Sequence, residues 1–165
     1  MSALEQAIFT WIHLIAASIW VGGSLFIGIV FSPLLKTMTN SLQERMQIMI
    51  RVGRRFNKVA VPSLIILMAT GLYSSHMLLG KPELLFATSY GIFLFTKIIL
   101  VIALIIIYVI HVRVIRKDIE DQIMENKMSE IQIRKLRKKI IILGEITVFL
   151  SIAILFFASL LDAGV

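Results

Sequence analysis

The sequence predicts an all-α integral membrane protein, a four-helix bundle, and three observations carry that prediction. Of its 165 residues 58% are hydrophobic and the mean hydropathy is +0.92, a balance that suits an apolar solvent rather than a wetted surface. Apolar stretches at 7–35, 59–80, 84–112 and 140–161 each reach the ~20 residues that a helix needs to cross about 30 Å of hydrocarbon. Fifteen of the 17 basic residues fall in 36–58 and 113–139, and basic residues that flank spans are held on the cytoplasmic side. Both termini are therefore expected outside, with one domain over residues 1–165 lying in the plasma membrane as a multi-pass protein.

The remaining composition narrows the chemistry. No cysteine is present, which excludes a disulfide, a thiolate metal site and an iron–sulfur cluster. The first apolar stretch is too long for a signal-peptide core and is preceded by Glu5 without a basic residue, so it is expected to stay as a helix. The basic loops raise nucleic acid as a partner, but no fold motif for it accompanies them. Attraction to anionic head groups accounts for them, and the expected partner is the lipid bilayer, not nucleic acid.

Each span has its own grammar. Helix one carries Ala16, Ala17, Gly22, Gly23, Ser24 and Gly28, small residues that let helices approach closely in lipid, and "SPLL" at 32–35 is expected to end or kink it. Helix two follows a partly amphipathic basic loop, takes Pro62 into its first turn and closes at "GKPE", 80–83. Helix three is expected to run on into the charged segment, where Ile115, Ile119 and Ile123 recur every four residues. That pattern predicts a cytoplasmic helical hairpin between helices three and four, solvated on both sides.

Ionisable groups inside the spans are the functional candidates, because each costs ~2.5 to 3.5 kcal/mol to insert and needs a partner or a cavity. Helical rise puts His13 about 9 Å, His76 about 6 Å and Lys97 about 12 Å inside the outer boundary, in one layer. His111 falls about 21 Å beyond Lys97, in the opposite leaflet. On helix one His13, Ala17, Trp20 and Ser24 share a face, and on helix three Lys97, Val101, Leu104, Tyr108 and His111 do. Two chemistries fit. Paired imidazoles such as His13 and His76 can hold the iron of haem b, with Trp20, Tyr108, Lys97 and His111 as further cofactor-binding candidates. Alternatively His13, His76 and Met77, with Met68 as a further thioether, offer the imidazole and sulfur ligands that select copper, Cu(I) above all. Glu145 is expected to form a salt bridge with Arg113, Arg54 or Arg55.

Beyond these readings, "WIHLIAASIWVGGSLFIGIVFSPLL", "RRFNKVAVPSLIILMATGLYSSHMLLG", "YGIFLFTKIILVIALIIIYVIHVRVIRKDI" and "LRKKIIILGEITVFLSIAILFF" together resemble the copper-resistance D (CopD) membrane domain. The resemblance rests most on the helix-one His followed by Trp-Val-Gly-Gly, the Arg-Phe and Thr-Gly pattern of helix two, and the Tyr-Gly and Lys of helix three. It implies copper transport or homeostasis beside a separate extracytoplasmic copper-binding protein. A more distant resemblance to the HemJ-like protoporphyrinogen oxidases rests on His13, the "RRF" that opens helix two and Lys97, and implies haem b. This chain has Tyr108 where that family tends to have His. No hydrolase triad, phosphate loop or catalytic carboxylate pair is present, so any enzymatic activity would be that of a haem-dependent oxidoreductase. A third alternative is a structural subunit of a homo-oligomer or larger membrane complex.

Overall fold

The computed structural model describes the backbone of residues 2–79 and 86–164, and side chains over 2–75 and 86–164. Among these residues the chain is helical with no strand: α1 (Ala3–Met38), α2 (Leu42–Leu79), α3 (Ser89–Val114), α4 (Lys117–Met124) and α5 (Glu130–Asp162). Four of the helices, all but α4, are long and apolar enough to cross a membrane. Phe9 stacks on Tyr73 and Phe93 meets Phe157, so the start of α1 lies beside the end of α2, and the start of α3 beside the end of α5. The bundle has a terminal end and, opposite it, a basic end.

The starts of α1, α3 and α5 are set by capping side chains. Ser2 with Glu5 and Ser129 with Gln132 form capping boxes, and Thr88 accepts from the Gly91 N–H. Residues 32–35, expected to end or kink α1, do not end it. Two π-helical segments, Ser18–Gly22 and Phe26–Phe31, interrupt its α-helical run, and Pro33 follows the second directly, in the first turn of Ser32–Met38. The wider turn accommodates the pyrrolidine ring and its missing N–H, so the helix reaches Met38 before Thr39 turns extended.

The basic segments are also more ordered than their composition suggests. Residues 42–58 are the first half of α2, and Pro62 sits in that helix's interior rather than its first turn. At 38 residues α2 is about 57 Å long, well beyond the ~30 Å of hydrocarbon, and its overhang carries α4 and the start of α5. The hairpin is not solvated on both sides: Ile123 is fully buried against Met46, Ile50, Ile133, Leu136 and Ile140, with Ile115 and Ile119 packed alongside. Gln43 and Gln47 on α2 both donate to the Ile123 carbonyl, and Asn126 takes the left-handed conformation (φ 56°) that turns the chain back toward α5. The closing residues 80–83 of the second span lie outside the described residues.

A second cluster, Trp20, Ala60, Leu64 and Leu104, fills the middle of the bundle. It places the α1 face that carries Trp20 and the α3 face that carries Leu104 inside, as the helical periodicity requires. The small residues of α1 divide in role. A side chain at Gly23 would collide with the Phe56 ring, whereas Cβ atoms at Gly22 and Gly28 would meet nothing within 4 Å. Close approach of α1 and α2 therefore rests on Gly23.

Candidate functional site

Toward the terminal end, α1 directs His13 at α2, and its Nδ1 lies 2.6 Å from Thr70 Oγ1. The Thr70 hydroxyl already donates its one proton to the Ile66 carbonyl, also at 2.6 Å. Its oxygen can therefore only accept from His13, which fixes the neutral ring as the Nδ1–H tautomer and leaves Nε2 with a lone pair that meets no partner among the described residues. This is the arrangement by which an outer hydrogen bond orients an imidazole ligand. Gly71 leaves the ring edge open, since a Cβ there would stand 3.8 Å from His13 Cε1.

Lys97 is half-buried on α3. His76 and Met77 continue α2 toward its end, but their side chains lie outside the described residues. Met68 is 45% exposed and stands on the outer surface of α2, away from a shared site.

In the middle of the bundle Trp20 Nε1–H donates to Ser151 Oγ at 3.0 Å, and Ser151 donates onward to the Thr147 carbonyl at 2.8 Å. Tyr108 meets the Trp20 indole edge to face, with centroids 5.0 Å apart, and its hydroxyl donates to Asn57 Oδ1 at 3.0 Å. Both aromatics are thus committed to a partition that separates the His13 layer from the basic end, while each keeps an edge on the cavity beneath it.

That cavity, about 680 Å³, is bounded by α1, α2, α3 and α5, with His111, Glu145, Lys36 and Arg137 among its walls. The His111 ring lies against Gly144, where a Cβ would stand 3.7 Å from Cε1. Thr70 and Asn57, which mark the two levels on α2, are about 20 Å apart by helical rise, so His111 and His13 do not meet. The expected salt bridge of Glu145 is not formed. Arg54 is engaged by Glu120, at 2.8 Å from Nε, and by the Ile115 carbonyl; among the described residues neither Arg55 nor Arg113 forms an ion pair. The reason is geometric: α4 packs on the α2 overhang and brings Glu120 to Arg54, leaving Glu145 on the cavity wall.

Sequence reasoning misses Thr70, Asn57 and Ser151, the partners of three residues it singles out. Hydroxyls and amides within spans fit helix packing equally well, and only the fold shows which imidazole or ring each one meets. Among the described residues no three or more His, Cys, Asp or Glu gather to hold a metal ion. His13 and His111 lie too far apart to hold one haem iron between them.

A family model described as copper resistance protein D matches residues 50–161, a range that holds Thr70, Lys97, Tyr108, His111 and Glu145 but begins after α1 and His13. A protein of Aquifex aeolicus (strain VF5), described as an uncharacterized protein, is 33% identical over 89 residues, which cover 53% of this chain. The chain covers 60% of that relative's length. No solved structure matches.

Proposed function

The chain belongs to the copper resistance protein D family, a multi-pass membrane protein with a copper-related role, and we propose that it passes copper through the bundle with His13 as a ligand. The observation that supports this reading is the relay from His13 Nδ1–H through Thr70 to the Ile66 carbonyl. It holds the ring in one tautomer with Nε2 presented as the donor, and imidazole nitrogen is a ligand that copper accepts. Copper is here the cargo, so few ligands serve better than many: a site must bind well enough to capture the ion and weakly enough to release it. His76 and Met77 supply the second and third ligands on this reading. Lys97, which helical rise puts within about 3 Å of the depth of His13, adds a positive charge that weakens the hold on a bound cation and favours its release.

A competition titration with a chromophoric Cu(I) chelator tests the assignment on the full chain in lipid nanodiscs. His13→Ala is expected to lower Cu(I) affinity by at least about tenfold, whereas His111→Ala leaves it unchanged. Wild-type affinity in His13→Ala sinks the assignment. An absorption spectrum of the same sample decides against the haem reading if it stays featureless above 350 nm (roughly the onset of porphyrin absorption) before and after dithionite.

A further inference from the structure

The cavity at the basic end carries a ligand chemistry that copper handling does not use. Its volume, about 680 Å³, is in the range of small-molecule sites, and it exists because side chains are missing where helices would otherwise interlock. Cβ atoms at Gly28 on α1 and Gly53 on α2 would meet nothing within 4 Å, and both glycines line the space. α1 is bonded to α5 at Trp20 and Ser151. Below that link, Ile29, Phe149 and Ile152 line the cavity while remaining 68%, 71% and 49% exposed. The cavity therefore opens sideways onto the hydrocarbon between α1 and α5.

The charges sit at its basic end. Lys36 closes α1 and Arg137 stands on α5, half-buried, and neither has an ion pair or side-chain hydrogen bond among the described residues. The Arg137 guanidinium, all donors and no acceptor, suits an anion. Arg54, the third cation on the wall, is already answered by Glu120. Glu145 lies eight residues beyond Arg137 on α5, about 12 Å deeper, too far for an ion pair with it but placed in a low-dielectric cavity to repel an entering anion.

We propose that this cavity binds one acidic phospholipid from the adjoining leaflet, its phosphate between Lys36 and Arg137 and an acyl chain along the groove of α1 and α5. A free phosphate leaves the apolar walls unfilled. A zwitterionic lipid carries its own ammonium to two cations that repel it. Basic pockets between transmembrane helices select acidic head groups on these grounds.

Trp20 borders the cavity and reports its occupancy. The chain has two tryptophans, Trp11 and Trp20, so Trp11→Phe isolates the signal. In phosphatidylcholine bilayers, phosphatidylglycerol with brominated acyl chains should quench Trp20 saturably, at a mole fraction about tenfold or more below that needed with brominated phosphatidylcholine. Lys36→Gln with Arg137→Gln should abolish the difference. Glu145→Gln should widen it, a gain that a misfolded protein cannot produce. Equal quenching by the two lipids overturns the proposal, as does a porphyrin absorption band in the purified protein that His111→Ala removes.

Discussion

His13 and His111 are two imidazoles in one bundle, both half-buried and both on interior faces, yet their surroundings differ in kind. His13 is held by Thr70 in a single tautomer with one nitrogen free. His111 lies against Gly144 beside an open cavity, with no hydrogen bond from the described residues. A buried polar side chain becomes a ligand of defined direction only when a second group spends one of its nitrogens. Burial alone yields a polar wall, whose chemistry depends on what enters the space beside it.

Substitutions at the two imidazoles should break this contrast most sharply. His13→Ala is expected to remove most Cu(I) binding, and His111→Ala to leave it within about twofold, because a lost ligand removes a bond while a lost wall residue does not. Chelator competition on the two variants measures both. Next in size is the relay itself. Thr70→Val keeps the shape but leaves His13 Nδ1–H without an acceptor, and should weaken copper by about 10- to 100-fold, the usual cost of losing an outer-shell partner. Thr70→Ser should restore it. A Val variant with wild-type affinity would reduce Thr70 to packing.

The partition between the regions should respond more modestly. Trp20→Phe removes the indole bond to Ser151 and should lower stability by about 0.5–1.5 kcal/mol, read as the thermal midpoint in detergent, with copper affinity unchanged. The smallest effect belongs to Arg54→Gln, which breaks the pair with Glu120. With both side chains partly exposed, it should cost about 1 kcal/mol or less, and the loss should disappear in high salt. A larger loss would mean that α4 is held on the α2 overhang by charge rather than by Ile123.

The spans are legible in the sequence because lipid imposes a length and a polarity on them. Their ends are less so. The α2 overhang reads as a basic loop and the start of α5 as part of a solvated hairpin because their apolar residues, Met46, Ile50, Ile133 and Leu136, are thinly spaced among cations, and only the packing of Ile123 reveals a shared core. Depth along a helix is equally legible: counting separates His111 from His13, as the levels of Thr70 and Asn57 on α2 require. Partners are not, since rise per residue fixes a level but not the neighbouring helix. Glu145 shows the limit, for at its level several arginines are candidates, and the choice between them lies in where α4 docks.

The tautomer of His13 is the most direct test of the account. In the full chain with ¹⁵N-labelled imidazole, with the His76 and His111 signals assigned by their loss in His76→Gln and His111→Gln, the nitrogen shifts of His13 separate a protonated from a lone-pair nitrogen. The account predicts a protonated Nδ1, a lone-pair Nε2, and a change on Cu(I) addition confined to Nε2. A protonated Nε2, or a Cu(I)-induced change at Nδ1, would contradict it.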